Sequence, residues 1–173
     1  LQRSITAVAN GIRCRSSKIS WNKPRRERGI MENRFHLAIP AGDLDKAIKF
    51  YCEILGCERG NSEFKYPDAW ADINFWGNEL TLHASDPDKA NKSERHNVDM
   101  GNVTVPHFGV HLDGETFQKL KKRLIDKKIK FIDPPYIRFE GEDIEQETMF
   151  LEDTNGNCME IKTMKNPETL FKK

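Results

Sequence analysis

No stretch of the sequence approaches the roughly 18 consecutive apolar residues that a membrane-spanning helix requires, so we expect no membrane partner. Neither sign of charge is in excess, since 28 Lys and Arg residues stand against 27 Asp and Glu. Such a balance gives no field that would attract nucleic acid, which we also exclude as a partner. The chain has 173 residues, of which 37% are hydrophobic. This is enough for one well-buried core and too little for two full domains.

Paired cysteine motifs are also missing. The four cysteines show neither a C-x-x-C motif nor the spacing of a zinc ribbon; they are Cys14, Cys52, Cys57 and Cys158. Scattered thiols of this kind indicate reduced side chains and a cytoplasmic protein. An organellar location is the alternative if the N-terminal residues form a transit peptide.

Acidic residues are nearly absent from the first 30 positions. Residues 1–30 contain one acid, Glu27, among many basic and serine residues, and they show no sustained periodicity. A transit peptide has this composition, and so does sequence translated from upstream of a true start at Met31. We therefore predict that residues 1–30 are a basic extension, disordered or targeting, outside the fold.

The remaining sequence shows the same order of elements twice. In the first half, alternation in "RFHLAIP" predicts a strand, and residues 42–56 predict a helix that begins at Asp43 and ends at Gly56. Two strands follow, at "AWADINFWG" and "ELTLHA". Polar, turn-rich residues 85–104 predict a long connection.

The second half begins with a strand at "VPHFGVHL" and a helix at residues 113–129. Three further strands are predicted at "KFIDPPYIRF", "QETMFLED" and "NCMEIKT". We interpret the halves as an internal duplication of strand, helix and three strands. The predicted fold class is α+β, with two βαβββ modules at 31–84 and 105–165 around a half-barrel cavity, and a C-terminal tail at 166–173.

Three polar side chains are predicted to share the concave face. Strand alternation turns His36, His107 and Glu160 away from the side that packs on the helices. Each histidine is followed two residues later by a small residue, Ala38 or Gly109. Any one of the three could be a hydrogen-bonded or solvent-facing residue. Their joint occurrence favours a divalent metal site of two imidazoles and a carboxylate, because a buried carboxylate needs a partner.

Several segments resemble the vicinal oxygen chelate superfamily of glyoxalase I, extradiol dioxygenases and bleomycin or fosfomycin resistance proteins. They are "FHLAIP", "DLDKAIKFYCEILG", "PHFGVHL" and "MFLEDTNGNCMEIK", and the resemblance covers residues 34–165. "HNVDMGNVTVPHFGVHL", "YIRFEGEDIEQETMFLEDTNGN" and "FWGNELTLH" are similar to a bacterial subgroup described as extradiol-type dioxygenases. The resemblance implies paired βαβββ modules and a metal held by His36, His107 and Glu160. Fe(II) is the favoured metal, with Zn, Mn or Ni as alternatives.

A fourth ligand stays open. Glyoxalases also use a Glu on the last strand of the first module. In "GNELTLH", the residues Glu79, Thr81 and His83 alternate along the predicted strand and so lie on the same face. Matching the residues "ELT" favours Glu79 at the fourth ligand position. Matching Gly77-Asn78 to Gly156-Asn157 instead favours Thr81 at that position, and a threonine is no ligand here. His83 could be a ligand or an acid–base group.

The remaining candidates concern proton transfer and substrate binding. We predict catalytic roles for His83 or His111, because imidazoles can titrate near neutral pH, or for Glu79 as the base beside the metal in a glyoxalase-type site. His111 lies about 13 Å along the strand from His107 at roughly 3.3 Å per residue, too far to share its metal. Arg138 could pair a substrate carboxylate or sit on an edge strand. Phe150, the other candidate for substrate binding, stands where extradiol enzymes carry a Tyr.

Three functions are compatible with these observations. The first is a metal-dependent dioxygenase of the extradiol type, although the usual acid–base residues are incomplete. The second is a lyase or isomerase of the glyoxalase or epimerase type, and the third is a non-catalytic drug-binding resistance protein. In each case we expect a small-molecule ligand and a monomer or homodimer.

Overall fold

The computed structural model describes residues 33–90, 94–98 and 101–172, and the predicted extension at 1–30 lies outside them. The first module contains one strand, one helix and three further strands. They are β1 (His36–Pro40), α1 (Leu44–Lys49, continued by π-helical residues Phe50–Leu55), β2 (Glu58–Glu63), β3 (Trp70–Phe75) and β4 (Asn78–His83).

A two-stranded hairpin separates this module from the second, which repeats the same order of elements. The hairpin consists of β5 (Arg95–Val98) and β6 (Gly101–Thr104). The second module contains β7 (Phe108–His111), α2 (Gly114–Asp126), β8 (Phe131–Arg138), β9 (Gln146–Glu152) and β10 (Cys158–Met164).

Each module forms one four-stranded sheet, and the strand orders are β1-β4-β3-β2 and β7-β10-β9-β8. In both sheets the first strand lies at an edge and pairs in parallel with the last strand, while the other pairs are antiparallel. These matching topologies confirm the α+β class and the duplication. Neither sheet closes into a barrel within the described residues.

The registers of the two parallel pairs show which residues correspond between modules. Ala38 lies opposite Thr81 in the first sheet, and Gly109 lies opposite Glu160 in the second. Gly109 is required by close approach, because a Cβ built there would lie 1.8 Å from the carbonyl oxygen of Glu160. Thr81 is therefore the counterpart of Glu160, which supports the match of Gly77-Asn78 to Gly156-Asn157.

Both helices begin where their sequences predict; the first also ends at its predicted residue, and the second ends at Asp126, before the predicted 129. The carboxylates of Asp43 and Asp113 accept hydrogen bonds from the amides of Lys46 (3.1 Å) and Thr116 (2.9 Å), which caps the first turns. Gly56 ends the first helix with φ +89°, a left-handed conformation that favours glycine. The apolar face of α2 is buried between the modules, at Phe117, Leu120 and Leu124.

Two features were not predicted from the sequence. β2 is polar along its length and mostly exposed, so it forms through its backbone pairing with β3 and not through burial. The β5–β6 hairpin lies in the segment that the sequence predicted as a connection. Its Val103 is fully buried in a cluster with Phe150 and Cys158, a contact between segments far apart in the chain.

The turn at residues 153–157 connects the two modules. Asp153 accepts hydrogen bonds from the amides of Asn155 and Asn157 and from the hydroxyl of Tyr51, at 2.8–3.0 Å. The side-chain amides of Asn155 and Asn157 each donate to the carbonyl of Pro40 at 2.8 Å. Since Pro40 and Tyr51 belong to the first module, this turn of the second module fixes the end of β1.

We expect Tyr51→Phe to destabilise the fold by about 1–3 kcal/mol, because it removes a buried donor from the carboxylate of Asp153. Tyr66→Phe is the matched control, since Tyr66 is 59% exposed. Urea denaturation of both variants measures the difference. Equal stabilities would show that the Tyr51–Asp153 bond contributes nothing to the fold.

Candidate metal site

His107 lies immediately before β7 and is held on two sides. Its Nδ1 is 2.9 Å from the carbonyl oxygen of Thr104, and its ring packs edge-to-face on Phe150 with centroids 5.4 Å apart. A carbonyl can only accept, so this contact assigns the proton of the neutral ring to Nδ1. The lone pair is then on Nε2, which is 3.6 Å from Oε2 of Glu160.

Glu160 is buried on β10 and receives donors on both oxygens. The Thr148 hydroxyl donates to Oε1 at 2.9 Å, and the Lys162 ammonium donates to Oε2 at 2.9 Å. Arg138 adds a second cation, with a nitrogen 3.8 Å from Oε1. Burial by itself raises the pKa of Glu160, but the hydrogen bond and charge of Lys162, together with the hydrogen bond from Thr148, hold it below its usual value. The carboxylate is therefore ionised at neutral pH.

His36 and Glu79 form a second pair on the first sheet. They lie directly opposite each other in the β1–β4 register, and Nδ1 of His36 is 3.4 Å from Oε2 of Glu79. Both side chains are more than half exposed. The predicted ligand His36 thus contacts Glu79, and the part of the chain that the structure describes shows no contact of His36 with His107 or Glu160.

The three predicted metal ligands therefore do not lie together. His36 pairs with Glu79, and His107 pairs with Glu160. Within residues 33–90, 94–98 and 101–172, no three His, Cys, Asp or Glu side chains lie close enough to hold a metal ion together. The His107–Glu160 pair nevertheless has suitable donor chemistry. Metal–ligand bonds of about 2.0–2.2 Å at tetrahedral angles place two ligand atoms about 3.4 Å apart, close to the 3.6 Å observed. The Thr104 carbonyl fixes the imidazole as carbonyl partners of metal-bound histidines do.

The other residues near β4 have different surroundings. The Thr81 hydroxyl donates to Asp72 at 2.8 Å, so the residue that corresponds to Glu160 serves as a hydrogen-bond donor in the first sheet. His83 is exposed at the end of β4, opposite Pro40 in β1 and Trp70 in β3.

His111, Arg138 and Phe150 surround the second pair. His111 lies opposite Lys162, and its pKa is lowered by partial burial and by the Lys162 charge, so the imidazole is neutral at pH 7. Arg138 contacts Glu160, as described above. Phe150 is 1% exposed and supports the His107 ring, so in this structure it acts on the site through His107.

Sequence reasoning missed three residues of the site. Lys162 shares the face of Glu160 two residues further along β10, and this parity could have identified it. Thr148 and the Thr104 carbonyl approach from β9 and β6, and only the tertiary structure brings them to the site.

These features define a class of protein: two βαβββ modules, with candidate metal ligands on the first strand of each and the last strand of the second. The Glyoxalase/Bleomycin resistance protein/Dioxygenase superfamily model matches residues 34–161. The chain therefore belongs to this superfamily. A comparison with curated proteins found no significant match.

Solved structures of the same fold support this assignment. A glyoxalase/bleomycin resistance protein/dioxygenase from Alicyclobacillus acidocaldarius is 34% identical, with a TM-score of 0.64 over 80% of this chain and 96% of that one. The fosfomycin resistance protein FosX from Listeria monocytogenes is 16% identical, with a TM-score of 0.56 over 82% of this chain and 100% of that one. The second likeness concerns the fold alone. Among the described residues, none of the helices is long and apolar enough to span a membrane.

The lowered pKa of His111 predicts a pH dependence of stability. The unfolded chain takes up this proton near the ordinary histidine pKa of about 6.5, and the folded chain takes it up only at lower pH. The contribution of the neutral imidazole is therefore complete above pH 6.5 and is lost as the pH falls through the folded-state pKa. Between pH 7 and 5, the free energy of unfolding of wild type should fall more than that of His111→Gln. Urea denaturation at several pH values measures this, and parallel curves would refute it.

Proposed function

We propose that the protein binds one divalent metal ion through His36, His107 and Glu160 and acts on a small molecule with two vicinal oxygens. The observation that carries this proposal is the His107–Glu160 pair, in which a lone-pair nitrogen and an ionised carboxylate oxygen lie 3.6 Å apart. Lys162 already lies 2.9 Å from this oxygen of Glu160, and a divalent ion between the nitrogen and the oxygen would join the two ligand atoms directly. When bound, a divalent metal would hold the substrate oxygens and stabilise negative charge on them.

Among the functions open to the superfamily, we favour a dioxygenase of the extradiol type with Fe(II). Two histidines and one carboxylate with open positions are the ligand set of non-haem Fe(II) oxygenases. Mn remains an alternative, because FosX of the same fold has been crystallised with Mn(II). His111 would accept a substrate proton, since its imidazole is neutral and it lies opposite Lys162, which contacts Glu160. Retention of the ligands argues against a purely drug-binding protein.

The separation of His36 from the other two ligands leads us to propose that the site forms between two copies of the chain. Each sheet carries half of a ligand set, His36 with Glu79 on the first and His107 with Glu160 on the second. The His36 side chain is 57% exposed, so a second molecule can reach it. In a symmetric dimer, the first sheet of one copy would complete the second sheet of the other.

A lyase or isomerase of the glyoxalase type is the second candidate, and the position of Glu79 favours it. Glu79 lies 3.4 Å from His36, so a metal bound to His36 would bring Glu79 within reach of the metal or of the substrate. Glu79 would then act as a fourth ligand or as the general base.

We expect His36→Ala, His107→Ala and Glu160→Gln each to abolish stoichiometric metal binding while the protein stays folded. His96→Ala, at an exposed residue of β5, is the control and should bind metal as wild type does. Titration calorimetry with Zn(II) and circular dichroism provide the two measurements. Full metal occupancy in any of the first three variants would remove that residue from the site.

Mixing two defective variants tests the dimer. If His36 comes from the partner, a dimer of one His36→Ala chain and one Glu160→Gln chain contains one intact site. Random mixing then restores about one quarter of the wild-type sites, because half of the dimers are mixed and each has one intact site of two. A site within a single chain gives no recovery.

Glu79→Gln separates the two mechanisms. For a three-ligand site we expect metal affinity to fall by less than about tenfold. This is the lower end of the losses caused by changing a residue that contacts a ligand but does not bind the metal. For a glyoxalase-like site, loss of the anionic ligand or base should lower metal affinity or turnover by at least about 10²-fold. Titration of Fe(II), anaerobically, and of Zn(II) into both proteins decides between them. A loss above hundredfold for both metals would overturn the dioxygenase proposal.

A further inference from the structure

We propose that Asp133 binds a hydrogen-bond donor of the substrate, a hydroxyl or an amine, at the end of the molecule away from the metal. This inference rests on the proposed metal site, and it names a group that the substrate carries besides its vicinal oxygens. Three features of Asp133 support it: the irregular pairing of β8, the burial of the side chain and its place in the same row as Glu160.

Strand β8 changes register just before Asp133. Phe131 lies opposite Leu151, whereas Asp133, two residues later, lies opposite Phe150. In a regular strand, residues two apart share a face, but the neighbours Leu151 and Phe150 point to opposite faces of the sheet. The irregularity therefore turns Asp133 away from the apolar core that holds Phe131 and Leu151 and onto the concave face.

A second change of register follows Asp133. Tyr136, three residues later, lies opposite Thr148, which shares the face of Phe150. Residues 134–135 between the two are both proline and cannot donate a backbone hydrogen bond to the sheet. Strand irregularities of this kind are common beside active sites, where they redirect a side chain. In β8 they redirect its only acid, Asp133.

The carboxylate of Asp133 is buried and incompletely satisfied. The residue is 7% exposed, and its Oδ2 has no hydrogen-bond partner among the residues that the structure describes. Asp153 is buried to the same extent, but both of its oxygens accept hydrogen bonds, from the hydroxyl of Tyr51 and from the turn that follows. A buried acceptor without a donor is unfavourable, and such departures are expected mainly at functional sites.

Asp133 and Glu160 lie in one row across the concave face. Each is paired in register with Phe150, Glu160 from β10 and Asp133 from β8. Neighbouring strands are about 4.8 Å apart, so the backbones at the two acids are about 10 Å apart. The two acids are also similarly buried, at 6% and 7%, so a molecule that reaches Glu160 can extend over Phe150 to Asp133.

This row describes the shape of the substrate. Its vicinal oxygens would lie at one end, beside Glu160, and an apolar middle would lie over the ring of Phe150. A donor at the other end would satisfy the oxygen of Asp133, because an ionised carboxylate only accepts hydrogen bonds. An apolar group of the same size would leave that oxygen buried and unpaired, so it should bind more weakly.

The test uses Zn(II)-loaded full-length protein and three catechols that differ in one substituent: 4-ethylcatechol, 3,4-dihydroxybenzyl alcohol and 3,4-dihydroxybenzylamine. The three substituents are similar in size, and the last two carry a donor. We expect wild type to bind at least one donor probe about tenfold or more tightly than 4-ethylcatechol, measured by titration calorimetry. The probe that binds more tightly shows whether the group is a hydroxyl or an amine.

Two variants connect this preference to Asp133. Asp133→Leu should reduce the preference for donor probes to less than about threefold, because it removes the acceptor. Asp133→Asn keeps an acceptor without the charge, so it should reduce the preference for the amine more than that for the alcohol. Asp143→Asn, at an exposed residue between β8 and β9, is the control and should bind all three probes as wild type does.

Stability separates this role from a structural one. Because folding buries an unpaired oxygen of Asp133, Asp133→Asn should unfold at a higher urea concentration than wild type at pH 7. Asp153→Asn is the matched contrast and should unfold at a lower urea concentration, because the bonds to its carboxylate are satisfied in the fold. A residue that only supported the fold would behave like Asp153.

The possible failures are distinguishable. Equal or tighter binding of 4-ethylcatechol by Zn(II)-loaded wild type would overturn this inference alone. An unchanged donor preference in Asp133→Leu would do the same, as would a loss of stability in Asp133→Asn. Failure of wild type to bind Zn(II), or to bind any of the three catechols, would overturn the proposed function and this inference with it.

Discussion

The carboxylate of Asp153 organises the turn on which the relation of the two modules depends. It accepts hydrogen bonds from the backbone amides of Asn155 and Asn157, from the side chain of Asn157 and from the hydroxyl of Tyr51, which lies on the helix of the first module. With its backbone fixed in this way, the turn directs two asparagine side chains at the carbonyl that ends β1. The same turn leads directly into β10, so it also positions Glu160.

Glu160 shows how a buried charge is tolerated and used. Its desolvation is offset by a hydroxyl and two cations, and this keeps an ionised carboxylate beside His107.

Much of the fold could be predicted because its signals are local. The capping residues Asp43 and Asp113, the stop at Gly56 and the alternating strands all depend on neighbours within a few positions. The β5–β6 hairpin could not be predicted, because its burial depends on Phe150 and Cys158, some 50 residues away. Whether Glu79 or Thr81 corresponds to Glu160 could be decided only from the strand register. Both residues lie on the same face of β4, and only the pairing with β1 distinguishes them.

By itself the sequence determined the duplication and the two helices, because the periods of strands and helices are local properties of the chain. It also predicted a shared face for His36, His107 and Glu160, and that their side chains serve one metal stays a prediction. Only the tertiary structure decided which of these side chains meet. His107 meets Glu160 and His36 meets Glu79, since contacts depend on strand order and register and not on parity. The tertiary structure also placed Lys162 and Arg138 on Glu160, because the charge balance of a buried site is set by every strand that borders it.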